Sequence, residues 1–577
     1  MKKEFSAKER ESYLKQMAEK ELDLLVIGGG ITGAGIAWDA SLRGLKVGLL
    51  EMNDFAFGTS SRSTKLVHGG LRYLKQGEIK LVREVGRERA LLHKRLPHLV
   101  EPIPMVLPIY KGGTYGYWTS SIGIYIYDWL AGVKRGERRK MYNRQQTMEL
   151  EPLFKTEGLK GSGYYYEYRT DDARLTMEIM KTARTNGALL CNYAKVKQFF
   201  YKDGRIVGLE VEDRISGEVY TIFAKKIVNA TGPWVDHLRR LDNSLKGKHL
   251  LLTKGVHLVV DYNRLPIKQA AYFDVPDGRM IFVIPRGTKT YIGTTDTVYN
   301  EDPAEPTITE EDLNYLIEAV NNQFPTVHLT CEDVESGWAG LRPLIHEEGK
   351  SPSEISRKDE IFVSESGLIS IAGGKLTGFR KMAEKVVNLV TAQLEDETGI
   401  VYPPCLTDRS EISGGEGIDD LSFSRLKSLL IKEGETRGLE NSQIEDLISR
   451  YGTNTRKILY YYDDLMDGTG GDDAAKSREN ELLFAELLYS VNYEMTVRAV
   501  DFLLRRTGWI FFDRYRAERN AEKVIAFMAK QLGWDEGRIA EERKLVQKEF
   551  DRLAFTPKVR KNEQADHVQV QQEETLT

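Results

Sequence analysis

The chain has 577 residues, too many for one hydrophobic core, so two or three domains are expected. Hydrophobic residues make up 41% and charged residues 29%, the balance of an ordinary soluble globular protein rather than of a disordered or membrane-embedded one. Lys and Arg number 82 against 86 Asp and Glu, and a net charge of −4 argues against nucleic acid as a partner.

The first twenty residues lack the apolar core of a signal peptide, and Phe5, Tyr13, Leu14 and Met17 read as one face of a short amphipathic helix. Residues 22–27, LDLLVI, form a continuous apolar run that suits a buried parallel strand. A glycine turn over 28–35, a helix from 36 and a second strand over 46–51 complete a strand–helix–strand unit. A helical stretch near 78–96 precedes an aromatic segment (110–130) and the basic run KRGERRK (134–140). Strand-like pieces between 195 and 229 lead into ATGPW, and the alternation over 250–297 predicts an antiparallel sheet.

The strand GLISIAG (367–373) runs into a glycine turn and a long helix. Beyond about residue 400 the period becomes helical: Ile444, Leu447, Ile448 and Tyr451 recur at i, i+3, i+4, i+7, and similar spacing returns at 482–489, 497–504 and 524–532. The polar end, from about 557, reads as disordered. Nowhere do apolar residues run for the roughly 18–20 positions that span a bilayer, so any membrane contact is expected to be peripheral. Cys191, Cys331 and Cys405 lie far apart with no CxxC pair, so neither a metal site nor a disulfide framework is expected.

The clearest chemistry lies in GGGITGAG. Gly28, Gly30 and Gly33 give G-x-G-x-x-G, with Gly29 between them. The glycines allow a tight turn, close approach of backbone to a pyrophosphate, and close helix–strand packing. The helix start then offers free N–H groups and a positive dipole to the phosphates. Glu51 ends the second strand, where a carboxylate can accept hydrogen bonds from ribose hydroxyls and disfavours a 2′-phosphate. The motif alone leaves NAD and FAD open.

Five further segments carry a resemblance: TSSRSTKLVHGGLRYL (59–74), VNATGPWVD (228–236), GTTD (293–296), SGWAGLRPL (336–344) and IAGGKLTGFR (371–380). Together they resemble the FAD-dependent glycerol-3-phosphate dehydrogenase family of the glycine-oxidase-like flavoproteins, over about residues 20–550. The resemblance implies an α/β FAD-binding Rossmann-like domain (21–100, 155–240 and 335–397) and an antiparallel-sheet substrate domain (101–154 and 241–334). A short helix over 1–20, an all-α C-terminal domain (398–555) and a disordered tail (556–577) complete the expected plan. It also implies hydride transfer from C2 of glycerol 3-phosphate to noncovalent FAD, giving dihydroxyacetone phosphate, with electrons passing to ubiquinone or menaquinone. A cytoplasmic protein held peripherally at the inner face of the cytoplasmic membrane is the expected setting.

The resemblance further implies residue roles. Ser60, Ser61, Ser63, Thr64 and Lys65 form a polar turn expected to contact the pyrophosphate and the flavin side chain. Gly232 lets backbone pass the adenosine portion. Gly373, Gly374, Lys375, Leu376 and Thr377 open a helix toward the flavin edge where negative charge develops, and a helix N-terminus with an ammonium group stabilises it. Arg342 and Arg357 are expected at the substrate phosphate, and Arg72 with Tyr73 at its hydroxyls. A base is needed for the C2 hydroxyl: His68 and His257 are both candidates, as is a water with an arginine stabilising the developing alkoxide, and Arg72 and Lys375 belong to the same catalytic set.

Aromatic residues beside the basic run of 134–140 suit an anionic leaflet, and suit equally a buried wall beside a solvated loop. The helical C-terminal domain either caps the substrate domain or forms an oligomer interface, a homodimer being the simplest. The rival readings are an oxidase that uses oxygen, an amino-acid oxidase of the wider superfamily, and a non-catalytic flavin-binding module. No long polar insertion of the oxidase kind is visible in mid-chain.

Overall fold

The computed structural model describes residues 5–67, 79–113, 138–346, 359–467 and 474–552. The glycine motif sits at the carboxyl end of Leu22–Ile27, an interior strand of an eight-stranded sheet whose main path runs Glu360–Val363, Ile369–Ala372, Val219–Asn229, Leu22–Ile27, Val47–Leu50, Leu189–Cys191. Neighbours along that path are parallel except for the outer Glu360–Val363 hairpin partner. Leu22–Ile27 is buried at every position, as a parallel strand covered on both faces must be. The helix Ile31–Leu42 covers one face beside Phe379–Thr398, so closely that a Cβ on Gly35 would lie 2.9 Å from the Phe379 ring.

The N-terminal helix spans Arg10–Glu19, and its apolar residues Tyr13, Leu14 and Met17 are buried in the core of this sheet. Phe5 precedes the helix instead of sharing its face, and packs against Phe55 with ring centroids 5.6 Å apart. The amphipathic face is therefore consumed by the protein's own core.

A ten-stranded sheet forms the second layer, running Thr297–Val298, Leu250–Asp261, Lys289–Gly293, Met280–Arg286, Ala270–Asp274, Glu101–Tyr110, Leu159–Arg169, Leu66–Val67. Val334–Ile345 pairs along Leu250–Asp261, and Lys140–Asn143 along Leu159–Arg169. The pairs are antiparallel, as the alternation over 250–297 predicts, except for the parallel contact of Ala270–Asp274 with Glu101–Tyr110. Three strands depart from the expected segments. Leu66–Val67, Leu159–Arg169 and nearly all of Val334–Ile345, drawn with the FAD-binding segments, hydrogen-bond in this second sheet, because register partners and not chain position decide membership.

Beyond residue 400 the described elements are helices, from Asp420–Glu435 to Glu536–Arg552. Ile444, Leu447, Ile448 and Tyr451 fill a helical core as their spacing requires. A second apolar cluster joins Tyr291 and Trp338 of the ten-stranded sheet to Phe502, Trp509, Phe511 and Val524 of the helices. Of the two roles left open, capping the substrate sheet is the one this packing displays.

Candidate active site

Between the two sheets runs a cleft of about 2160 Å³. That exceeds the roughly 300–1,000 Å³ of an ordinary small-molecule pocket, which leaves room for a dinucleotide and a small substrate together. At one end Gly28 adopts φ +114°, and a Cβ there would lie 2.5 Å from the Ala230 carbonyl oxygen. A Cβ on Gly33 would lie 1.9 Å from the Gly28 oxygen, so both positions require glycine. Gly30, Ile31 and Thr32 present the start of the helix to the cleft. The Ile31 N–H donates to Ser60 Oγ at 2.9 Å, which ties the expected polar turn to the glycine motif.

The Glu51 carboxylate accepts from the Gly29 N–H at 2.7 Å and from the Asn53 N–H at 2.9 Å. Burial pushes its pKa up, and those two backbone donors oppose the shift. Each oxygen keeps a lone pair for a ribose hydroxyl. Gly232, at φ +57°, and the turn Gly373–Gly374, at φ +76° and +79°, border the same cleft with Lys375, Leu376 and Thr377. The helix that follows begins at Phe379 after a single 3-10 turn. A cleft lined in this way fits FAD: a helix start for the diphosphate, an acid for the ribose, and a second helix start at the far end.

At that far end Gly255 lies under Arg342, where a Cβ would come within 2.5 Å of the guanidinium. Arg342 donates to Thr294 Oγ1 at 3.0 Å, to the Thr295 carbonyl at 3.1 Å and to Asp296 Oδ1 at 3.0 Å. The GTTD segment thus acts as a cradle that fixes one guanidinium. His257 is 2% exposed and stacks on Trp338, with centroids 4.9 Å apart. Its Nε2 lies 3.0 Å from Thr64 Oγ1, while Nδ1 is buried with no partner. Burial, reinforced by Arg342 and Lys65, holds its pKa well below the usual histidine value, so the ring is neutral at physiological pH.

Ser60, Ser63 and Thr64 line the cleft, but Ser61 and Lys65 do not. Lys65 turns inward, donating to Asp172 at 2.5 Å and to the Ser61 carbonyl at 3.0 Å, with 2% exposure. Ser61 is 1% exposed with its hydroxyl toward the Gly58 carbonyl. The reason is the burial of Asp172, a carboxylate that needs a cation and finds it in Lys65. Ser63 also donates its hydroxyl to Asp172, at 2.7 Å. His68, Arg72, Tyr73 and Arg357 lie outside the described residues, as do positions 114–137 of the aromatic and basic segment and the polar tail.

One group with no signal in the motifs supports the cofactor end. Asp54, wholly buried three residues past Glu51, accepts from Arg505 at 2.6 Å, from Arg506 at 2.7 and 2.8 Å, and from Asn192 at 3.0 Å. Although burial alone pushes the carboxyl upward, Arg506 and Arg505 hold its pKa at about 2. The helical domain is thereby pinned to the turn that carries Glu51.

Comparison with known proteins agrees with this geometry. The family described as FAD dependent oxidoreductase matches residues 23–380, and the C-terminal domain of alpha-glycerophosphate oxidase matches residues 405–539. The chain is 53% identical over 536 residues to the aerobic glycerol-3-phosphate dehydrogenase of Bacillus subtilis, covering 93% of this chain and 96% of that one. It is 50% identical to the protein of the same name from Staphylococcus haemolyticus, over 91% and 93% of the two chains. The crystal structure of the glycerol-3-phosphate dehydrogenase from Bacillus halodurans, complexed with FAD, superposes with a TM-score of 0.82 at 45% identity, covering 96% of this chain and 99% of that one. A glycine-motif cleft of this form, with matches across both the flavin and the helical segments, places the chain in the FAD-dependent oxidoreductase family, among the aerobic glycerol-3-phosphate dehydrogenases.

Proposed function

We propose that the protein oxidises sn-glycerol 3-phosphate to dihydroxyacetone phosphate and passes the electrons to a membrane quinone. The observation that carries this reading is the meeting, in one cleft, of the glycine motif, the Gly373–Thr377 turn and the cradled Arg342. FAD supplies the hydride acceptor. Arg342, fixed by Thr294, Thr295 and Asp296, binds the phosphate through its planar guanidinium. The neutral His257 ring takes the C2 hydroxyl proton by way of the Thr64 hydroxyl, 3.0 Å from Nε2. His68 is the other candidate for that proton, and Arg72, Tyr73 and Arg357 are assigned to the substrate on the family resemblance.

The names of the relatives support a dehydrogenase over an oxidase. Among the described residues no helix is long and apolar enough to cross a membrane, so contact with a quinone pool takes place at the surface. The basic run from Lys134 to Lys140 is the proposed contact. The test is an anaerobic titration of the flavin spectrum with glycerol 3-phosphate, followed by admission of a soluble quinone or of air. Bleaching, fast reoxidation by quinone and slow reoxidation by air are expected. A flavin left oxidised would remove the substrate assignment, and fast aerobic reoxidation with stoichiometric peroxide would make the protein an oxidase.

A further inference from the structure

Arg62 lines the cleft and is 6% exposed, yet among the described residues its guanidinium makes no hydrogen bond and no ion pair. A charge taken out of water without a partner is costly, and buried arginines are ordinarily paired. Arg62 lies over the face of Phe57, 5.2 Å from the ring centroid. Arg505 lies 5.7 Å from the same centroid, but its charge is already matched by Asp54 and Asp501. Burial lowers the Arg62 pKa to about 10; Glu549 and Glu305 raise it, and Arg552 and Arg505 lower it.

The position names the counter-charge. Phe57 packs toward Trp234, with centroids 6.4 Å apart, and Trp234 follows Gly232 on the dinucleotide side of the cleft. Arg62 closes the Thr59–Ser61 turn, whose Ser60 hydroxyl accepts from Ile31 at the helix start. Arg342 is held on the other sheet by its own cradle. We infer that Arg62 is a positioning residue for the cofactor, its guanidinium pairing with the FAD diphosphate. The helix start would then supply backbone N–H groups to that dianion and Arg62 a forked cation.

The test follows cofactor retention directly. Holoenzyme of the parent, Arg62→Met and Arg62→Lys is diluted in steps, and released FAD is read by its fluorescence at low and high salt. Arg62→Met is expected to raise the FAD dissociation constant by about ten- to a hundredfold, the range for a hydrogen bond to a charged group. Arg62→Lys should recover part of the loss, since it keeps the charge but not the fork. The salt dependence of FAD release should be weaker in Arg62→Met than in the parent, because the screened contact is gone. Thermal unfolding of the apoprotein should stay within about 2 °C of the parent, as a variant without that buried charge loses no paired contact. An FAD constant within twofold of the parent would overturn the inference. So would an equal loss in Arg62→Lys and Arg62→Met with unchanged salt dependence, which is the mark of a packing role.

Discussion

Replacing Asp54 by Asn tests whether the helical domain is part of the cofactor site. The side chain keeps its shape but gives up the charge that Arg505 and Arg506 share at 2.6 and 2.7 Å. Removing one partner of a buried ion pair costs about 3–5 kcal/mol, because the remaining charge is stranded. Here Arg505 keeps Asp501 at 2.6 Å and Arg506 keeps the Glu494 carbonyl at 3.0 Å, so the lower end, about 3 kcal/mol, is expected. The assay is urea unfolding of the holoenzyme, followed by flavin release and by tryptophan fluorescence. Both transitions should move to lower urea, with flavin release moving at least as far, since Asn53 and Glu51 lie on the same turn. Adding Arg506→Met should return part of the loss by removing the stranded charge, a coupling of about 0.5–3 kcal/mol. An Asp54→Asn protein with unmoved transitions would refute the reasoning, and so would a double variant worse than the sum of its parts.

The buried His98 ring predicts acid sensitivity. Neither ring nitrogen has a partner, and burial, with Arg174 and Lys181 adding to it, lowers the pKa from 6.5 to about 3. A depressed value means that the unfolded chain binds the extra proton, so this stability is present above pH 6.5 and is lost as pH falls toward 3. Between pH 7 and 5 the loss is about 2 kcal/mol, and the melting temperature of the parent relative to His98→Phe should fall by a matching amount; a constant difference would contradict it. Arg342→Lys should raise KM for glycerol 3-phosphate about tenfold or more, because an ammonium cannot replace the cradled fork. Steady-state kinetics with unchanged KM would move the phosphate elsewhere.

Much of the cofactor end was legible because its physics is local. A tight turn, a close helix and a carboxylate one strand away leave fixed spacings, and Gly28, Gly33 and Glu51 stand where those spacings put them. Helical and alternating periods likewise marked the C-terminal helices and the 250–297 strands. What stayed hidden depends on partners far along the chain. Lys65 read as a cofactor contact because Asp172, which draws it inward, is 107 residues away. GTTD was visible as a motif, but its task of holding Arg342 needs the pairing of Thr253 with Arg342 across two strands. The sheet that Leu66–Val67, Leu159–Arg169 and Val334–Ile345 join was hidden for the same reason, since a strand's sheet is chosen by its neighbours.

The carboxylate of Asp54 meets Arg505 and Arg506 only after 451 and 452 further residues of chain. At about 5–20 residues per second of translation, that interval lasts roughly 20–90 s on the ribosome. The dinucleotide half therefore emerges early but holds an acid that it cannot bury until the last helices arrive. A nascent chain stopped before residue 505 has its glycine motif and every described strand of both sheets, yet lacks the pair of arginines that settles the turn beside Glu51. A chain cut before residue 505 is therefore expected to hold the turn beside Glu51, and with it FAD, less firmly than the full chain.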